Sequence, residues 1–233
     1  MTRIAVTFAL PAESSAFLRH LSNQSRTDRN GIRTIRGIID DREIQVLHTG
    51  VGERVCRERV GKFLADQQFD LLISTGFAGA LNDELQTGDL LLAKNFSTVD
   101  LNAKRSFSTV PIHTADLLTT SALINSSEER NNVARASGAV AVDMETEFIA
   151  RACAARGIPL LSLRVITDTP RKPLPAPPNI LFDIERQQTT TLKLAKYFLA
   201  HPNRVGHLVQ FARRIARARN ILAEALGALI KEL

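Results

Sequence analysis

The sequence predicts an α/β chain folded as a single domain around a central, mostly parallel sheet, with a helical extension at its C-terminus. Three observations carry this. At 233 residues the chain is long enough for one substantial core. Short apolar runs recur along it, separated by glycine-containing turns and segments of helical periodicity. The stretch 139–169 reads as strand, helix and strand in succession, the pattern that parallel sheets require. We assign residues 1–200 to the α/β domain and 201–233 to a basic amphipathic helix packed on it or on a partner surface.

Ile4 to Ala9 reads as the first, central strand, and Pro11-Ala12-Glu13 opens a helix, since proline suits a first helical turn. Glu13 therefore lies near the end of that strand. Residues 33–48 read as a hairpin, Arg33 to Ile39 and Glu43 to His48, turning at Asp40-Asp41. Thr49-Gly50-Val51-Gly52 leads into a helix from about Glu53 to Asp66. The N–H groups of such a loop suit an anion or a ribose oxygen, and the same residues equally suit a tight strand-to-helix turn. Phe69 to Ser74 is a buried strand, Thr75-Gly76-Phe77-Ala78-Gly79-Ala80 a second glycine-rich loop, and Gly88 to Ala93 a further strand. Phe96 to Pro111 is polar and poorly periodic. Leu117 to Ser121 reads as a strand, and Ser127-Glu128-Glu129 carries the signature of a helix start.

The rest of the chain is read as support for residues 139–169. Val140 and Val142 end a short strand, and Asp143-Met144-Glu145 starts a helix whose apolar positions Phe148, Ile149, Ala152 and Cys153 recur at helical spacing. Acids at a helix start are favoured by the macrodipole, and that alone would account for Asp143 and Glu145. Gly157 and Pro159 stop the helix. Leu160 to Ile166 is a buried parallel-type strand, and Asp168 follows it directly. Ligands of open α/β sheets bind beyond the carboxyl ends of strands, so Glu145 and Asp168 can meet in one crevice across 23 residues of sequence.

Val142-Asp143-Met144-Glu145, followed by Arg164-Val165-Ile166-Thr167-Asp168, resembles the nucleoside phosphorylase and nucleosidase superfamily, whose pattern is close to V-E-M-E and then R-x-x-S-D. Ala9-Leu10-Pro11-Ala12-Glu13 matches its A-M-x-x-E, Thr75 to Ala80 its T-G-x-A-G-G, and Gly88-Asp89 with the apolar run behind them its V-G-D segment. The resemblance covers roughly residues 3–169. It implies a three-layer α/β/α fold and cleavage of the N-ribosidic bond of a purine nucleoside, with adenine as the base. Asp168 is implied to protonate or hydrogen-bond purine N7, Glu145 to hold the ribose hydroxyls and Glu13 to orient the attacking water. Met144 is implied to pack on the sugar, with Asp143, Phe77, Ala78, Gly79, Leu123 and Ile124 around the substrate. Gly50, Gly52, Thr75 and Gly76 are the anion or ribose loops. Many relatives carry serine where Phe77 stands, so a standard phosphate site does not follow, and phosphate as co-substrate stays open against water. Aspartate in the VDME motif, a short wall at 96–111 and the basic C-terminal helix look most like the hopanoid-associated nucleoside phosphorylase group, whose implied substrate is adenosylhopane. A methylthioadenosine or adenosylhomocysteine nucleosidase, and a purine-binding or membrane-peripheral protein without catalysis, are the alternatives.

Five of the nine prolines fall between Pro170 and Pro178, a stiff loop that reads as a lid or rim. A helix follows over 180–200, His201-Pro202-Asn203 breaks it, and a last helix runs from about Arg204 to the end. Val205, Leu208, Val209, Ala212, Ile215, Ala216, Leu222, Leu226, Leu229 and Ile230 form its apolar stripe, which suits packing on the body, a second subunit or a lipid surface. Of the net charge of +6, residues 201–233 carry +4. This patch lacks interleaved aromatics and any recognisable nucleic-acid module, so nucleic acid is not expected as a partner. Cys56 and Cys153 read as buried thiols, and the five histidines have no metal-ligand spacing. No metal and no cofactor are expected. The expected setting is the cytoplasm, with peripheral contact at the inner membrane face through 204–233, and the superfamily resemblance implies a homo-oligomer.

Overall fold

The computed structural model describes residues 1–99, 110–183, 187 and 191–233, and these build a mixed sheet of ten strands between two helical layers. Its centre is parallel: β1 (Arg3–Phe8) lies between β4 (Arg42–His48) and β5 (Leu71–Ala80), with β10 (Leu160–Asp168) on the far side of β5. Strand alternation sets the layers. Ile4, Val6 and Phe8 face one layer, with Ile73, Leu161, Leu163 and Val165. Ala5, Leu72 and Leu160 face the other. Helices α2 (Glu53–Leu64) and α4 (Thr146–Ala154) cover that second face with Val60, Phe63, Ile149 and Cys153. The first face is covered by a 3₁₀ turn at Phe17–His20 and by the C-terminal helix α7 (Val205–Glu232).

Around this centre several expectations are corrected. The helix at Pro11 is a single turn, α1 (Pro11–Ser14). The hairpin strands β3 (Ile32–Ile39) and β4 gain an edge partner, β2 (Ser22–Arg29), whose polar sequence carries no apolar period because nearly all of it faces water. Residues 75–80 are not a loop but the second half of β5, held extended by pairing with β10 on one side and β9 (Ala141–Asp143) on the other. β6 (Leu90–Ala93) runs antiparallel to β10 and parallel to β7 (Ile112–Ala115), a strand the sequence does not announce. β8 (Leu117–Thr119) stops two residues short of Ser121 and pairs with β9. Helix α3 (Ser127–Ser137) starts behind an N-cap at Ser126, whose hydroxyl accepts from Glu129 N. The expected helix over 180–200 becomes α5 (Pro178–Leu181) and α6 (Thr191–Ala200); residues 184–186 and 188–190 between them, like most of the wall at 96–111, lie outside the described residues.

Helix α7 has two unlike halves. From Ala218 onward, Leu222, Leu226, Leu229 and Ile230 are fully buried in the core cluster that also holds the inward residues of β1, β5 and β10. Before it, Val205 and Val209 are 42% and 45% exposed, while Leu208, Phe211, Ala212 and Ile215 line a pocket. The single stripe seen in the sequence thus serves as core in one half and as pocket wall in the other. Among the described residues no helix is long and apolar enough to cross a membrane.

Candidate active site

A pocket of about 550 Å³ opens beyond the carboxyl ends of β1, β5 and β10, where an α/β sheet is expected to bind ligand. Glu13, Glu145 and Asp168 all line it, with Met144, Asp143, Phe77, Ala78, Gly79 and Leu123. Glu13 comes from α1. Its Oε2 accepts the N–H of Ala9 at 3.0 Å and of Leu10 at 3.4 Å, which folds the side chain back over the end of β1. Burial outweighs these bonds and pushes Glu13 up to about 7. Glu145 sits at the N-cap of α4, and its Oε1 accepts the N–H of Gly52 at 2.9 Å. Burial, reinforced by the neighbouring Asp143, raises it to about 8.

The two aspartates are placed differently. Asp143 ends β9 rather than opening α4, which begins at Thr146. Its carboxylate accepts from Thr119 Oγ1 at 2.7 Å, Arg164 Nε at 3.1 Å and Thr146 N at 3.2 Å, so although it lines the pocket it is spent on the protein's own network. Arg164, 2% exposed, completes that network by donating to Ser74 Oγ at 2.8 Å and to the Leu163 carbonyl at 3.1 Å. Asp168 ends β10 beside Gly79. Its Oδ1 accepts from Thr167 Oγ1 at 2.9 Å, and its Oδ2 is paired with the buried guanidinium of Arg130.

The loop at Gly50 and Gly52 does not offer its N–H groups to a ligand. Thr49 N and Gly50 N bond the carbonyls of Phe8 and Ala9, Val51 N bonds Gln187 Oε1, and Gly52 N bonds Glu145. It is a turn that fixes Glu145. Behind the acids lies a small cavity of about 10 Å³, lined by Thr7, Thr75, Gly76, Glu13, Glu145 and Arg164. The hydroxyls Thr7 Oγ1 and Thr75 Oγ1 are buried there without a hydrogen-bond partner among the described residues. Such a space holds about one water molecule. Ile124 packs with Leu81, Ala139 and Val142 and lines a side pocket of about 40 Å³ instead of the main one, because the chain turns its carbonyl toward Arg130. Leu123, 38% exposed, lines both pockets.

Two buried arginines at the site carry no separate signal in the sequence. Arg164 lies inside the R-x-x-S-D-like motif. Arg130 sits in a polar helix with no local signal beyond being its one buried residue. The apolar wall from α7 was legible as a stripe, but not as part of the site.

The comparisons bear on the family and the fold. The model of the phosphorylase superfamily matches residues 3–113 and 100–200. A 5′-methylthioadenosine/S-adenosylhomocysteine nucleosidase of Staphylococcus aureus is 23% identical over 197 residues, covering 71% of this chain and 86% of the relative. Among solved structures, a futalosine hydrolase mutant of Helicobacter pylori superposes with a TM-score of 0.70 at 16% identity over 100% of both chains. The S-adenosylhomocysteine nucleosidase of Streptococcus pyogenes, in complex with 5-methylthiotubericidin, superposes equally well at 17% identity, covering 100% of this chain and 97% of the other. With the family model matching most of its length, the chain belongs to the phosphorylase superfamily.

Proposed function

We propose that this enzyme hydrolyses the N-ribosidic bond of a purine nucleoside, with adenine as the leaving base. The observation that carries the reading is the convergence of Glu13, Glu145 and Asp168 on one pocket, with a one-water cavity directly behind the two glutamates. Cleavage needs the base neutralised as it leaves with the electron pair of the C1′–N9 bond, the sugar's positive charge tolerated, and a nucleophile at C1′. Asp168 faces the base and, when protonated, passes that proton to N7 as the C1′–N9 bond breaks, ending as the carboxylate paired with Arg130. Glu145, raised to about 8 and so largely protonated near neutral pH, holds the ribose hydroxyls through hydrogen bonds. Glu13, pushed up to about 7, suits a base that takes the proton of the attacking water near neutral pH. Water is favoured over phosphate because the cavity is small and Arg164, the cation beside it, is already bonded to Asp143, Ser74 and Thr146.

The 5′ substituent we favour is large and apolar, of the adenosylhopane kind. From the acids the pocket continues along Leu174, Leu181, Phe182, Leu194, Phe211 and Ile215, a wall with little to hydrogen-bond. On the same helix as Leu194, Leu199 is 82% exposed, and no acid occurs between Glu185 and Glu224 in a stretch that holds eight arginines and lysines. That combination supports peripheral contact of α6 and α7 with an anionic lipid surface. A second reading, a methylthioadenosine or adenosylhomocysteine nucleosidase, is favoured by the activity named for the relatives.

The test is release of adenine from adenosine, methylthioadenosine and a 5′-alkyl adenosine in detergent, each with and without phosphate. We expect phosphate-independent turnover, fastest on the alkyl compound, and a loss of at least ~100-fold in Asp168→Asn. Turnover of methylthioadenosine alone selects the second reading. Silence from folded protein that still binds adenine makes it a purine-binding protein.

A further inference from the structure

Among the described residues Arg130 is the largest fully buried side chain, 1% exposed, on a helix whose other residues are exposed or, like Val133 and Ala134, half-buried. Its guanidinium has three partners: the carbonyl of Ala80 at 2.6 Å, the carbonyl of Ile124 at 2.9 Å, and Asp168 Oδ2. The first lies at the end of β5 and the second in the segment that walls the side pocket, so one rigid fork ties three parts of the site together. With Thr167 Oγ1 on the other oxygen, the carboxyl of Asp168 is held from both sides. Room for this comes from Gly79, where a Cβ would stand 2.9 Å from Asp168 Oδ2 and 3.2 Å from Arg130 Nη1. Glu13 and Glu145 are held by backbone N–H groups; of the three acids, Asp168 is the one with an arginine partner among the described residues. A leucine or methionine would anchor α3 without the desolvation cost of a buried ion pair, so anchoring does not by itself account for the arginine.

We propose that Arg130 is a positioning residue for Asp168, fixing the plane of its carboxyl toward the purine so that the leaving base meets it in the geometry of proton transfer. The proposal rests on the hydrolytic reading above, in which Asp168 faces the base. Displacement of a catalytic group by about 1 Å can cost ~100-fold in rate. Lysine offers a point charge without the planar fork and reaches fewer of the three acceptors.

The experiment is a double-mutant cycle on methylthioadenosine and 5′-alkyl adenosine turnover, with Arg130→Met and Arg130→Lys made alone and in Asp168→Asn, and thermal unfolding recorded for each. Arg130→Met is expected to lower kcat ~100-fold with KM changed less than about threefold, and Arg130→Lys to recover about tenfold of that loss. In the Asp168→Asn background the same Arg130→Met change should cost little further, because the role passes through the carboxylate. A lowered Tm with kcat intact, or the full kcat loss persisting in Asp168→Asn, overturns the proposal. Should Arg130→Met not fold, Arg130→Gln, which keeps two donors for the carbonyls, takes its place in the cycle. Calorimetric binding of free adenine across the same variants runs the cycle without turnover: coupling between positions 130 and 168 supports the pair even if the hydrolytic reading fails, and additive losses overturn it.

Discussion

Glu13 and Glu145 belong to the same pocket but were bought by burial in different ways, and the pH profile should separate them. Glu13 reaches about 7 against two backbone N–H bonds, while Glu145 reaches about 8 with Asp143 adding to the effect of burial. A base must lose its proton before it can take one from water. Since the folded protein holds the Glu13 proton to about 7, kcat/KM should fall as pH drops through that value. Glu13→Gln should cut the rate by ~100-fold or more and remove this acid limb; an unchanged limb in that variant would assign it to Glu145. The sequence showed these acids because each stands at a strand end or helix start. It did not show Arg130, since a buried arginine in a polar helix differs from its exposed neighbours only once the helix has a face to bury.

Two glycines make β5 more than a strand. A Cβ on Gly76 would lie 3.0 Å from Glu13 Oε2, and one on Gly79 would press on both Asp168 and Arg130. Residues 75–80 read as a loop because glycine density is a turn signal, yet β9 and β10 pair across them and keep them extended. The glycines serve close approach of the acids instead. Gly79→Ala, which keeps the strand but pushes the pair apart, should therefore lower kcat by roughly tenfold, about 1.4 kcal/mol in the barrier, with the far-ultraviolet spectrum unchanged. Steady-state kinetics beside circular dichroism would check this. The loop at Gly50 and Gly52 shows the converse: its glycines turn the chain, and its N–H groups are used inside the protein.

Over the whole molecule, α7 joins core to pocket. Leu226→Ala, in the buried half, should cost about 2–5 kcal/mol of stability and leave kcat of the folded enzyme as it was. Phe211→Ala, in the pocket half, should leave Tm nearly unchanged and raise KM for a 5′-alkyl adenosine by ~10-fold, with methylthioadenosine unaffected. Unfolding curves and the two KM values distinguish the halves. What the sequence determined by itself is local: strand alternation that assigns Ile4, Val6 and Phe8 to one layer and Ala5 to the other, acids at strand ends, and the superfamily motifs in their order. What the tertiary structure decided is non-local. Polar β2 is a strand because β3 offers it an edge. Asp143 is an internal ligand because Arg164 lies across from it, and Asp168 is clamped because α3 delivers Arg130 from 38 residues away. Periodicity reports which face of an element is apolar, but not whether that face meets a core or a cavity; only the packing of the sheet on α7 divides its stripe between the two.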